Sequence, residues 1–174
     1  MFVSVPESTK RLHIDVFYES LCSDSRDFFI NQLRPTILEL AAYIDVDLIP
    51  YGKAKTTILP DTRITSTCQH GHEECYGNRI HACALALSTC SKRLGFNWKD
   101  IRNCANSHLG FALQYNHGIQ TQALKPSVTF IPTIVVDQVG FHICLNKSRR
   151  MAGINYFKLG SNPGIEHEYN IFIL

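Results

Sequence analysis

Residues 12–25 read Leu12-His13-Ile14-Asp15-Val16-Phe17-Tyr18-Glu19-Ser20-Leu21-Cys22-Ser23-Asp24-Ser25, and the change of character along this run decides the fold. Apolar side chains recur at 12, 14 and 16 and then become continuous through Phe17 and Tyr18. That pattern predicts a central β-strand over 12–18. From Ser20 the composition turns to Ser and Asp, residues that open helices. Cys22 therefore falls where a strand hands over to a helix.

Downstream, Phe28, Phe29, Leu33, Ile37, Leu38, Leu40 and Ala41 keep helical spacing, and Pro35 inside the run predicts a kink or a break. Residues 44–49 alternate at period two and predict a second strand, ended by Pro50-Tyr51-Gly52. The polar, Thr-rich residues 53–67, with Pro60, read as a loop. Residues 78–93 and 98–115 carry helix-compatible apolar patterns, in a stretch that holds most of the cysteines. Residues 128–136 return to β character, interrupted by Pro132, and Gly140 could turn them into a hairpin ending near Leu145. Strand, cysteine-bearing turn, helix, strand and a later proline-led strand pair is the order of an α/β, thioredoxin-like fold. The mainly helical region of about 53–126 reads as a disulfide-stapled insertion. The expected organisation is an extension over 1–11, this domain over 12–145 and an atypical tail over 146–174, compatible with disorder.

The bulk numbers narrow the function. The chain has 174 residues, 45% hydrophobic and 18% charged, which suits one globular domain. A formal charge of +2 gives no basic field for nucleic acid, and no nucleic-acid partner is expected. No apolar stretch approaches the ~18 residues that cross a bilayer, so no membrane partner is expected. Seven cysteines point to an oxidising compartment, and their odd number leaves one thiol over. Residues 1–11 hold too little apolar content for a signal core. A secretory signal is expected to lie outside this chain, or the gene to start earlier. Asn146-Lys147-Ser148 is a glycosylation acceptor pattern.

A cysteine at a helix N-terminus meets unpaired N–H groups and the positive end of the dipole, which favour its thiolate. Asp24 opposes this and Arg26 supports it. A free thiolate attacks a disulfide to form a mixed disulfide. A dithiol site would read Cys-x-x-Cys; here it reads Cys22-Ser23-Asp24-Ser25, and the Ser25 hydroxyl cannot resolve the mixed disulfide. On this segment alone a half-buried cysteine or a disulfide partner, with Ser25 as helix cap, is the other reading.

Residues 68–83 read Cys68-Gln69-His70-Gly71-His72-Glu73-Glu74-Cys75-Tyr76-Gly77-Asn78-Arg79-Ile80-His81-Ala82-Cys83. Cys68, Gln69, His70, Gly71, Glu74, Cys75, Asn78 and Cys83 match, at fixed spacing, the signature of the gamma-interferon-inducible lysosomal thiol reductase (GILT) family, which this chain resembles. Residues 46–52 (VDLIPYG), Asn103-Cys104-Ala105 and Ile131-Pro132 match the same family in the same order, so the likeness spans roughly 12–137. It implies a thioredoxin-fold core with a disulfide-bearing helical insertion, acting on protein disulfides in the acidic endocytic pathway or after secretion. It makes Cys22, Ser25 and Pro132 the expected catalytic positions, Pro132 as a cis proline beside the active cysteine. An ordinary trans proline opening an edge strand is the plainer alternative. Beyond about Gln138 the family's closing helix is not matched, as a truncated or mis-spliced gene would leave it.

Three signature cysteines with His70, His72 and His81 fit no common zinc spacing, so no metal or cofactor is expected. Structural disulfides among Cys68, Cys75, Cys83, Cys90, Cys104 and Cys144 are expected in one of 15 connectivities, which leaves Cys22 as the odd thiol. The remaining histidines read as satisfied surface or core residues, and Trp98, Phe28 and Phe29 as core. The expected function is a thiol-disulfide oxidoreductase resolved by an external thiol, lysosomal or secreted. Its expected partners are disulfide-bonded protein substrates and a small thiol reductant. The alternative is a redox-inactive binding protein of the same family.

Overall fold

In β1 (Leu12–Tyr18), consecutive residues point to opposite faces, and Val16 (0% exposed) and Phe17 (3%) are both buried. A strand covered on both faces belongs in the middle of a sheet. The computed structural model describes residues 11–90 and 97–137, with the backbone alone at Thr89 and Cys90. In it β1 is the central strand of a three-stranded sheet of order β2-β1-β5. β2 (Ile44–Pro50) runs parallel to β1 with Leu12 opposite Ile44 and Tyr18 opposite Pro50. β5 (Thr133–Val136) runs antiparallel, with Phe17 opposite Thr133 and Ile14 opposite Val136. Phe17, Ile49 and Val135 form a buried cluster across the three strands, with Leu124 packed on it.

A parallel pair needs a crossover, and residues 23–40 supply a helical one. α1 (Ser23–Phe28) passes into a π-helical segment (Phe29–Leu33) and then α2 (Arg34–Leu40). The break expected at Pro35 is a widened turn. Proline removes one N–H and crowds the carbonyl four residues back, and the π-helical segment lies directly ahead of it. The Thr36 hydroxyl donates to the Gln32 carbonyl at 2.8 Å. Phe28 is buried, and Phe29 meets the Tyr18 ring edge-on at 4.8 Å.

Residues 53–67 are not a plain loop. They form an antiparallel hairpin, β3 (Lys55–Ile58) with β4 (Ile64–Thr67). The polar composition concealed β-branched Thr56, Thr57, Thr65 and Thr67, which favour strands whatever their polarity. Thr56 Oγ1 lies 3.0 Å from Ser66 Oγ across the pair and 3.0 Å from the Tyr51 hydroxyl. The turn is tied by Asp61, which accepts from the Arg63 N–H at 3.1 Å.

Three helices follow. α3 (His72–Cys90) begins a turn and a half ahead of the expected start. The run expected over 98–115 divides into α4 (Trp98–Ala105) and α5 (His108–Ala123). Asn106 and Ser107 make the break, because their side chains compete for backbone groups. Asn106 Nδ2 donates to Arg102 O at 3.0 Å and Ser107 Oγ to Cys104 O at 2.8 Å. Cys83, Ile101, Cys104 and Ala105 form the apolar core here, and a Cys83–Cys104 disulfide bonds α3 to α4. Beside it Arg79, 6% exposed, donates to Ala105 O at 3.0 Å and to Gln114 Oε1 at 3.4 Å, with its guanidinium 4.3 Å from the Phe111 ring. Burial lowers its pKa. Trp98, expected in the core, is 59% exposed, because it stands at the first position of α4, a turn ahead of buried Ile101.

The described residues thus make a mixed α/β protein with two small sheets and two disulfides. No helix among those residues is long and apolar enough to cross a membrane. Residues 1–10 of the expected extension, the tail over 146–174, the hairpin to Leu145, the Asn146 acceptor and the side chains of Cys90 and Cys144 lie outside the described residues.

Candidate active site

Cys22 is the N-cap of α1, in extended conformation (φ −71°, ψ 123°), and its carbonyl accepts the first helical bond from Arg26 at 3.1 Å. The first amides of a helix have no partners within it, and Cys22 sits at that end. The residue is half-buried, and its thiol is the free one among the described cysteines. Sγ lies 3.9 Å from the carbonyl oxygen of Ile131, 109 positions away. The Ile131–Pro132 peptide is cis and Pro132 is fully buried, immediately ahead of β5. The fold thus joins Cys22 to the Ile131–Pro132 segment across the chain.

Ser25 lies one turn into the helix, 2% exposed, and its Oγ accepts from the Glu19 N–H at 3.4 Å. The hydroxyl faces inward and ties the start of α1 to the end of β1. Arg26 and Asp27 form an exposed ion pair at 3.1 Å, so the guanidinium is engaged by its neighbour. Exposed pairs of this kind contribute little to stability.

The sequence pattern missed the polar layer beneath this turn. Glu19, just past the end of β1, reads as a loop carboxylate yet is 1% exposed. Its Oε1 accepts from the Lys53 N–H at 2.7 Å, and its side chain fills the space where a Cβ on Gly52 would stand. Gly52 has φ +61°, so a residue without a side chain is needed there twice over. Glu19 Oε2 is buried and makes no hydrogen bond. Burial raises the Glu19 carboxyl; the Lys53 N–H opposes this, the Glu74 carboxylate adds to it, and the charges of His70 and Lys53 lower it.

Glu74, 0% exposed, comes from the first turn of α3. Its Oε1 accepts from the His70 N–H at 3.1 Å, and its Oε2 lies 2.5 Å from His70 Nδ1. The same Nδ1 is 3.5 Å from Glu19 Oε2. A Cys68–Cys75 disulfide, Cα–Cα 5.6 Å, closes the loop that carries His70. Asn78, also 0% exposed, accepts from the Ser20 N–H at 2.9 Å, and Ser20 Oγ donates to Glu74 O at 3.1 Å. Gly77 lets Ser20 approach α3, since a Cβ there would stand 3.0 Å from the Ser20 Cβ. The motif residues His70, Glu74 and Asn78 therefore grip Glu19 and Ser20, directly ahead of Cys22. Their spacing was visible in sequence, but their partners in the turn after β1 carried no signal.

Behind β1, the Tyr18 hydroxyl lies 3.1 Å from His81 Nδ1. Burial pushes the Tyr18 hydroxyl up and the His81 imidazole down. The signature cysteines are taken up in disulfides, Cys68 with Cys75 and Cys83 with Cys104.

Comparison with known proteins assigns the chain to a family. The family described as gamma interferon inducible lysosomal thiol reductase (GILT) matches residues 13–117, more than half of the chain. GILT-like protein 1 of Drosophila melanogaster is 29% identical over 175 residues, covering 78% of this chain and 70% of the fly protein. The gamma-interferon-inducible lysosomal thiol reductase-like protein of Anopheles gambiae is 30% identical over 165 residues, covering 74% of this chain and 68% of its own. The gamma-interferon-inducible lysosomal thiol reductase of Mus musculus is 28% identical over 152 residues, covering 73% and 61%. The chain belongs to the GILT family.

Proposed function

We propose that this protein is a thiol-disulfide oxidoreductase that reduces protein disulfides through Cys22 on a thioredoxin-like core. The observation that carries the reading is the meeting of the free sulfur of half-buried Cys22 with the Ile131 carbonyl at 3.9 Å, beside cis Pro132. Backbone next to such a proline can pair with an extended substrate and bring its disulfide to the sulfur. The thioredoxin-like assignment is supported by the parallel β1-helix-β2 unit with antiparallel β5 entered through Pro132. The names of the mouse and mosquito relatives support the activity.

In the proposed cycle the Cys22 thiolate attacks one substrate sulfur, the S–S bond breaks, and the other sulfur leaves as a thiolate that takes a proton from water. Ser25 has no sulfur to displace the resulting mixed disulfide. A small thiol attacks the Cys22 sulfur and frees the substrate; a second small thiol then takes the first off Cys22. Two small thiols become one disulfide while the substrate disulfide becomes two thiols. Pro132 is a positioning residue and Ser25 the position that makes the site depend on an outside thiol. The partners are disulfide-bonded proteins and a small thiol reductant, without nucleic acid or membrane. The compartment is lysosomal or extracellular, which the names of the relatives and the disulfides support.

Ser25 also supports a second reading, a redox-inactive binding protein of the same fold. Turnover of a disulfide-bonded protein with excess free cysteine at mildly acidic pH separates the two. Activity that disappears in Cys22→Ser and rises in Ser25→Cys is expected. Wild type no faster than Cys22→Ser would sink the enzyme reading and leave the binding one.

A further inference from the structure

Glu19, His70 and Glu74 bring three ligand-type atoms, Glu19 Oε2, His70 Nδ1 and Glu74 Oε2, within 4.8 Å of one another. Both carboxylates are buried, and two like charges away from water need a compensating cation or protons. The partner bonds are divided in a telling way. Each carboxylate spends Oε1 on a backbone N–H, Glu19 on Lys53 at 2.7 Å and Glu74 on His70 at 3.1 Å. Each turns Oε2 towards the His70 ring, which has one N–H at most to give on that side. Glu74 takes it at 2.5 Å, and Glu19 Oε2, on a side chain 1% exposed, is left without a hydrogen bond.

We propose that these three side chains form a site for a zinc-class divalent cation. The donor set, one imidazole nitrogen and two carboxylate oxygens, suits Zn²⁺, Co²⁺ or Mn²⁺. The Oε1 bonds to backbone amides are the outer contacts that fix ligating carboxylates in place. Bonds of about 2.1 Å in a tetrahedron set ligand-to-ligand edges of about 3.4 Å. The Glu19–His70 separation of 3.5 Å already meets this, and the Glu74–His70 pair opens as the cation displaces their shared proton to solvent. The His70 side chain is 40% exposed, so the cluster borders solvent on the imidazole side, from which a cation can enter. No cysteine takes part, because Cys68 and Cys75 on either side of His70 are bonded to each other. The site stands whether or not Cys22 turns over substrate.

The test uses the full chain with disulfides intact, stripped with a chelator and titrated with Co²⁺ at neutral pH. One equivalent is expected to give visible d–d bands without sulfur-to-cobalt charge transfer, and Zn²⁺ is expected to erase them. His70→Ala and Glu19→Gln are each expected to weaken Co²⁺ binding by more than about 100-fold, beyond what loss of an outer contact does. His70 is the more exposed of the two, so its variant decides the matter if Glu19→Gln fails to fold. The absence of bands in wild type overturns the proposal, with a proton then neutralising Glu19. Bands unchanged in His70→Ala, or charge transfer lost in Cys22→Ser, overturn it as well by putting the cation elsewhere.

Discussion

The backbone N–H of Ser20 donates to the Asn78 side-chain oxygen at 2.9 Å, tying the segment ahead of Cys22 to the helix that carries the family signature. Asn78 Nδ2 in turn reaches the Tyr51 carbonyl at 3.5 Å, so one buried amide holds two loops. Asn78→Ala takes the partner from the Ser20 N–H and from the buried Tyr51 carbonyl and is expected to lose about 1–3 kcal/mol in urea unfolding. A loss below a few tenths would mean that water replaces the amide freely.

Gly52 is the second lever on the same loop. With φ +61° and Glu19 occupying the Cβ position, Gly52→Ala meets backbone strain and overlap together. A loss of at least about 2 kcal/mol is expected. An alanine variant that unfolds at the wild-type denaturant concentration would show that Glu19 swings away at no penalty.

The two disulfides should differ in weight. Cys83–Cys104 spans 21 positions and Cys68–Cys75 spans 7. Loop-closure entropy gives about 3 kcal/mol for the longer and about 2 for the shorter. Double Cys→Ala variants of each pair, compared by thermal unfolding, should rank in that order. The reverse order would place the larger effect in the His70 loop.

Burial pushes His81 and His117 below their ordinary value of 6.5, and His117 Nδ1 is buried without a hydrogen bond among the described residues. The folded state therefore binds fewer protons than the unfolded one. The stability that these two histidines govern is whole above about 6.5 and is lost as pH falls towards their lowered values. Replacing both with Gln should flatten the fall in unfolding free energy below pH 6.5. A slope unchanged by the double substitution would assign the acid sensitivity to other groups.

How much of this was legible depended on whether the information was local. The strand over 12–18 and its central place could be read because continuous burial leaves an unbroken apolar mark at Val16, Phe17 and Tyr18. The hairpin at 55–67 was hidden because threonine is polar in composition but β-forming in shape. Trp98 misled because size says nothing of whether a neighbour covers the first turn of a helix. Cys22 and Pro132 stand out in sequence, one by its place at a helix start and one by family likeness, and the fold sets Cys22 Sγ 3.9 Å from the Ile131 carbonyl. Glu19 gave no sign, because a carboxylate is buried only when remote partners meet it, here Lys53, His70 and the bare backbone of Gly52. Which cysteines bond was likewise a matter of distance in space, and spacing alone left 15 answers for six sulfurs.

The burial of the bonded sulfurs has a consequence of its own. Cys83 is 0% exposed and Cys104 9%, so both ends of that bond are covered, whereas Cys68 is only half-buried beside Cys75. Thiol exchange requires approach in line with the sulfur–sulfur axis, and a sulfur sealed among side chains offers no such path. A molecule bathed in enough small thiol to open other proteins' crosslinks would keep its Cys83–Cys104 bond, while the half-buried Cys68 leaves the Cys68–Cys75 bond open to attack. The immunity of the longer bond comes from packing rather than from the chemistry of the bond, and so it should end when the fold does.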